Sequence, residues 1–211
     1  MAHIPDGVLT APVLITGALA SAGLLAISLR RLDYERIPQA AVLSAAFFIS
    51  SLITVPVGPS SVHLLLNGLM GIVLGWAAVP AILVALVLQA AFFGYGGLLV
   101  LGVNTLNMAL PALVCALLFA PRLAQGRCRR PFLLGALGGA VGVLLTALMV
   151  SLALAFSREA FLPAAKVILL TYLPLAVVES AVTGAVIAFV WRVSPELLRA
   201  SFERLPEQQH G

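Results

Sequence analysis

Trp76-Ala-Ala-Val-Pro80 is the stretch on which the fold turns. Apolar runs flank it, at roughly 62–75 and 77–93, and each is shorter than the ~20 residues that span a bilayer as a helix. Read as one segment they make a single long crossing. Read as two they make a pair. Proline removes a helix hydrogen bond and clashes with the preceding turn, which disfavours an unbroken helix through Pro80. The side of the membrane on which every later loop lies follows from this choice.

The surrounding chain settles the class. Its 211 residues are 62% hydrophobic and 9% charged, against about 45–50% apolar and about 25% charged in soluble domains. Five further apolar segments lie at roughly 8–29, 38–57, 98–120, 132–156 and 166–191. A helix satisfies its own backbone in lipid, so the composition predicts an all-α integral membrane protein. Arginines then decide the count. Arg30, Arg31 and Arg36 follow the first segment; Arg122, Arg127, Arg129 and Arg130 follow the fifth; Arg192, Arg199 and Arg204 follow the seventh. Only Arg158 and Lys166 lie between the sixth and seventh. Seven spans with an external N-terminus put ten basic residues in the cytoplasm and two outside, as the positive-inside rule requires. Merging the central pair would place Arg122–Arg130 opposite Arg30–Arg36. The expectation is a bundle of about seven transmembrane helices, with the N-terminus external and inserted into the fold and the C-terminus cytoplasmic. Residues 1–195 are expected to form one transmembrane domain that opens with a short N-terminal segment, and 196–211 a polar cytoplasmic tail.

That topology brings two histidines to one membrane face. His3 stands in the opening Met-Ala-His-Ile-Pro-Asp-Gly7, and His63 closes Gly58-Pro-Ser-Ser-Val-His63. A histidine this near a chain start can chelate an ion with its own ring, the intervening amide nitrogens and the free amine. Nitrogen donors in a square plane suit Ni(II) or Cu(II), and also Co(II). The plain alternative is a solvated terminal histidine and a histidine beside a helix cap. The Phe93-Gly-Tyr-Gly-Gly97 turn falls on the same face. Asn104 and Asn107 share a helix face near it, and Gln89 lies in the span before. Amides are costly in hydrocarbon, so they point inward, either to orient the metal-binding loops or to bond helices together. Ser60 or Ser61 is placed to cap the helix after His63. Glu179, midway along the last segment, is an intramembrane ionisable residue whose role the sequence leaves open.

Other chemistry lacks its signatures. No His-Glu-x-x-His, Walker loop or Gly-x-Ser-x-Gly elbow occurs, so no catalytic residue is expected and ATP hydrolysis belongs elsewhere. Cys115 and Cys128 form no redox or metal motif, and no disulfide is expected. The start lacks a basic n-region, so a cleavable signal is not expected. The net charge of +4 reflects cytoplasmic loops, not nucleic acid. Small residues spaced by four, Ala18, Ala22 and Ala26 on the first span and Gly135 and Gly139 on the sixth, mark close helix packing. For the alanines, a partner subunit is the alternative.

His3-Ile-Pro-Asp-Gly7, Ser61-Val-His63, Asn67-Gly-Leu-Met-Gly71, Gln89-Ala-Ala-Phe-Phe-Gly-Tyr-Gly-Gly97 and Leu101-Gly-Val-Asn-Thr-Leu-Asn-Met108 run in order along residues 3–110. As a set they resemble the substrate-binding membrane subunits of energy-coupling-factor transporters for nickel and cobalt, the CbiM/NikM type. A weaker likeness continues through Tyr172-Leu-Pro-Leu-Ala-Val-Val-Glu179. The resemblance implies capture of Ni²⁺ or Co²⁺ as substrate in a square plane of nitrogens. The donors are the terminal amine, the backbone nitrogen and ring of the N-terminal histidine, and a second histidine; the histidine roles map onto His3 and His63. It implies a transmembrane coupling subunit, two ATPase subunits, a small accessory membrane subunit, and the cytoplasmic (inner) membrane as the location. Ser61, Gln89, Asn104 and Asn107 are the supporting residues. This chain begins Met-Ala-His where the family pattern begins Met-His. Removal of Met1 would restore the register with Ala2 as the amine. If Met1 stays, its amine, two amides and His3 fill the plane, so both residues belong to the candidate site. The competing reading is a self-sufficient metal permease that needs no ATPase.

Overall fold

The structure is a computed structural model that describes residues 3–57, 60–125 and 128–199, with no side chain described for 54–62 or 199. The expected Met1 and Ala2 donors lie outside the described residues.

Helix α1 (Ala11–Arg30) opens with proline in its first turn, where the missing N–H has no helical partner to lose. A 3₁₀ turn over Tyr34–Arg36 leads into α2 (Ile37–Ser50). This helix was expected to reach residue 57 and stops at 50. Ser50 and Ser51 hydroxyls donate back to the Phe47 and Phe48 carbonyls, at 2.8 and 2.6 Å. Thr54-Val-Pro-Val57 then favours extended backbone, because β-branched residues and proline suit strand better than helix. β1 (Thr54–Val57) pairs antiparallel with β2 (Ser60–His63), Thr54 opposite His63. This hairpin is the one sheet among the described residues of an otherwise helical protein.

The central pair is divided, as expected, but at Gly75. Helix α3 (Asn67–Leu74) has eight residues, all buried, and so is about 12 Å long at 1.5 Å per residue. It is a half-helix. Gly75, at φ 58° and ψ −125°, takes a backbone shape that side-chain-bearing residues avoid. A 3₁₀ turn follows, and α4 (Ala78–Phe93) begins. Pro80 falls in the first turn of α4, where it costs no hydrogen bond.

The two pieces reverse direction. Val73 O accepts from Arg36 Nη2 at 2.6 Å, at the start of α2. Trp76 O accepts from Ser28 Oγ at 2.6 Å, and the Arg31 guanidinium sits 4.5 Å over the Trp76 ring, both near the end of α1. At its far end α4 brings Gln89 beside the Phe47 carbonyl. Hence α3 leads away from the hairpin and α4 returns to it. Length and hydropathy alone count five crossings, with 67–93 as one.

Helix α5 (Leu101–Ala124), α6 (Pro131–Ser157) and α7 (Leu162–Val193) complete the bundle. A last turn, α8 (Glu196–Arg199), buries Leu198 against Phe119, Leu123 and Ile187. Packing is close where glycine allows it. A Cβ on Gly71 would lie 1.9 Å from Ala112 O, one on Gly139 2.5 Å from Glu179 O, and one on Gly68 2.5 Å from Gly138 O. The glycine stripe of α6 therefore packs inside the bundle. On α1 the inward residues are Gly17, Ser21 and Ser28. The Ala18 backbone abuts Gly102, while Ala22 and Ala26 are exposed. Cys115 and Cys128 are free thiols.

Candidate metal site

At the hairpin end of the bundle the chain start is drawn into the fold. Ile4 is 3% exposed and His3 5%. Asn104, in the first turn of α5, holds both sides of one residue: its Oδ1 accepts from Ile4 N at 3.1 Å, and its Nδ2 donates to Ile4 O at 3.0 Å. Asp6 N donates to Gly96 O at 3.1 Å, and Asp6 Oδ1 accepts from Val100 N at 3.0 Å. Gly96 and Gly97 permit this closeness. Both have positive φ, and a Cβ on Gly97 would meet the Asp6 carboxylate at 2.1 Å. Thr10 N is tied to Ser157 Oγ at 2.8 Å, which fixes the entry to α1.

His3 and His63 meet there, as the topology predicted. Their rings stack with centroids 5.1 Å apart and planes 23° from parallel. Tyr95 stacks on both, at 5.9 Å from His3 and 6.4 Å from His63. Phe93 lies 5.5 Å from Tyr95. His63 Nδ1 is 3.0 Å from the Leu64 carbonyl. A carbonyl only accepts, so that nitrogen carries the proton and Nε2 keeps its lone pair. Both His3 Nε2 and His63 Nε2 are buried without a hydrogen-bond partner. Unpaired buried nitrogens are uncommon in folded proteins, and these two leave lone pairs free for a water or an ion.

Burial sets their protonation. It pushes His3 from 6.5 down to about 3, with His63 adding to the effect. Burial likewise lowers His63, against the opposing hydrogen bond to Leu64 O. Both rings are neutral at physiological pH, the form that binds metal. Among the described residues no three His, Cys, Asp or Glu side chains lie together.

The other expected residues divide. Asn104 is the clamp on the N-terminal segment. Gln89 is fully buried six residues before Tyr95, its Nε2 at 3.5 Å from Phe47 O and its Oε1 unpartnered. Asn107 is buried with its Nδ2 lacking a hydrogen-bond partner among the described residues, and it borders a 270 Å³ cavity between α1, α5 and α6. Ser61 pairs with Pro56 in the hairpin, and its side chain lies outside the description. Glu179 is 1% exposed and accepts from the backbone of Leu65 and Leu66. Asp6 and Tyr95 were not singled out beforehand, although both stand in stretches that were. The signal for Tyr95 was its place between glycines, Gly94 and Gly96, both with positive φ.

Comparison with known proteins finds a matching family, relatives and solved structures. The family profile CbiM, described as "Cobalt uptake substrate-specific transmembrane region", matches residues 3–197. A Haemophilus influenzae protein named for metal transport is 39% identical over 93% of this chain and 96% of its own length. The fused nickel transport protein NikMN of Rhodobacter capsulatus is 32% identical over 93% of this chain, which spans 63% of that longer protein. A crystal structure titled as a transition metal transporter superposes with a TM-score of 0.79 at 27% identity, covering 97% of this chain and all of the other.

Proposed function

Because the chain belongs to the CbiM family of cobalt-uptake transmembrane proteins, we propose that it is the substrate-capture subunit of an energy-coupling-factor importer. It is a multi-pass membrane component of cobalt or nickel uptake. In this reading it sits in the cytoplasmic membrane and binds Ni²⁺ or Co²⁺ on the external face. A coupling subunit, two ATPase subunits and a small accessory membrane subunit supply energy and assembly; this chain has no catalytic residue. The bundle over 1–195 is the working domain, and 196–211 is its cytoplasmic tail.

The observation that carries the reading is the pair of buried, neutral imidazoles with partnerless Nε2 atoms. His63 is already locked in the tautomer that offers Nε2. His3 adds its ring and backbone nitrogen, and the chain amine, from Ala2 after loss of Met1 or from Met1 itself, completes a nitrogen set. Such a set takes nickel or cobalt alike. The relative named as a fused nickel transport protein favours an assembly with further parts over a self-sufficient permease.

The test is metal affinity of purified protein by calorimetry. A tag before Met1, or acetylation of the amine, is expected to lower affinity at least about 100-fold, as loss of a ligand should. A tag after Gly211 leaves it unchanged. His3→Ala matches the N-terminal tag, and His63→Ala is equally severe when Ala2 is the chain start. Equal affinity of the two tagged forms rules out the amine as a ligand. Transport by vesicles holding this chain alone, without ATPase subunits, would support the permease instead.

A further inference from the structure

Half-helix α3 begins inside the bundle, and its first N–H groups need partners. The first four N–H groups of any helix lack acceptors within it, and hydrocarbon has no water to supply them. The residue ahead of α3, Leu66, has no polar side chain and adopts φ 49°, the one positive φ outside glycine among the described residues. Asn67 Oδ1 accepts from Gly68 N at 3.0 Å, while its Nδ2 donates to Thr146 Oγ1 at 2.8 Å and Met108 O at 3.2 Å. Two more donors here, Leu66 N at the cap position and Leu65 N just before it, both go to the Glu179 carboxylate. Leu66 N lies 3.0 Å from Oε1 and 3.2 Å from Oε2, and Leu65 N donates to Oε1.

A carboxylate at a helix N-terminus also meets the positive end of the helix dipole. Glu179 thus supplies from α7 the cap that the local sequence lacks. Gly139 lets α6 press against the Glu179 backbone, at 2.5 Å from a Cβ position, which fixes α7 at the residue that carries the carboxylate.

The held segment begins two residues after His63. Leu64 O takes the His63 Nδ1–H and also the Ser50 hydroxyl, at 3.0 and 3.3 Å. We propose that Glu179, by capping α3 at Leu65 and Leu66, is the positioning residue that holds the His63 ring in register with His3. This rests on the reading of His3 and His63 as metal-binding residues. It assigns the one buried carboxylate among the described residues of the spans to ordering the site, not to binding the ion.

The experiment uses the full chain and Ni²⁺ alone, with affinity from calorimetry and the ligand-field absorption spectrum of the bound ion. Glu179→Ala removes both acceptors. Its affinity is expected to fall about 10- to 100-fold, the range for residues that orient metal ligands, and its spectrum to move toward that of His63→Ala. Glu179→Gln keeps one acceptor and turns an N–H₂ toward the donors, so it falls about tenfold with a smaller spectral change. Ser44→Ala deletes a comparable buried bond, to Ala81 O at 2.8 Å, and should lower thermal stability with an unaltered spectrum. A folded Glu179 variant with wild-type affinity and spectrum overturns the proposal; where Glu179→Ala does not fold, Glu179→Gln decides. Failure of the wild-type protein to bind Ni²⁺ would instead overturn the reading of the histidines.

Discussion

Helices α1 and α5 are almost equally apolar, yet most of α1 is exposed and most of α5 is buried. In water this would be impossible, since apolar surface drives burial. In lipid an apolar side chain gains little by turning inward, and helices associate through close packing and polar contacts. The difference therefore lies in the minority residues. Helix α5 carries Asn104, Thr105 and Asn107 on its buried side, and α1 offers only Gly17, Ser21 and Ser28. Inside and outside are written in small and polar residues, and hydropathy only assigns both helices to the membrane.

The largest contrast is expected between two glycines. Gly71 of α3 lies where a Cβ would be 1.9 Å from the Ala112 carbonyl of α5, whereas nothing lies within 4 Å at Gly23 of α1. Gly71→Ala should cost about 3 kcal/mol, because backbone on backbone cannot yield easily. Gly23→Ala should be neutral or stabilising by about 1 kcal/mol through helix propensity. Thermal melts in detergent compare them; equal melting points would show that α3 and α5 are not in contact.

A second contrast sets Asn104 against Thr16. Asn104→Ala strands the Ile4 N–H and C=O inside the protein and should cost about 2 kcal/mol. Metal affinity should fall with it, about 10- to 100-fold, since His3 adjoins the clamped residue. Thr16 is exposed on α1 and bonds only to its own helix, at Pro12 O and Val13 O. Thr16→Ala should change stability by less than about 0.5 kcal/mol and affinity not at all. Calorimetry and melting on both variants decide whether the N-terminal segment is held by α5 or merely rests there.

The smallest effect is a pH dependence. The unfolded chain takes up a proton on each histidine near 6.5, while burial keeps folded His3 neutral down to about 3 and lowers His63 as well. Below 6.5 the unfolded state binds more protons, so stability of the metal-free protein falls as pH drops toward 3 and is flat above 6.5. At pH 5.5 the loss for His3 is roughly 1 kcal/mol. Melting curves from pH 7.5 to 5 should show it, and His3→Gln should flatten it. A wild-type protein with a flat curve would mean that the rings are open to solvent.

Much of the site was legible beforehand because topology and composition act on the whole chain. Arginine placement brought His3 and His63 to one end, and the same count held α3 and α4 apart. The resemblance supplied the donor set proposed for the metal. Less legible were the local breaks. The division at Gly75 was assigned to Pro80, which is harmless in a first helical turn. The strand over 54–57 was drawn as the end of the second span, and 62–63 as the start of the third, because a short run of Thr and Val reads the same in either form. Asn104 and Asn107 look equivalent one turn apart; only packing sends one to the Ile4 backbone and the other to a cavity beside α1.

By itself the sequence determined the solvent, the number of helical segments and the end of the bundle at which each loop lies. These depend on sums over many residues, the transfer of apolar segments into lipid and the bias of basic loops. Tertiary structure alone decided which donor meets which acceptor. Glu179 finds Leu65 and Leu66, 114 and 113 positions away, and Asn104 finds Ile4 across 100. A hydrogen bond acts over about 3 Å and in one direction, so partners that distant are set only when the helices have packed.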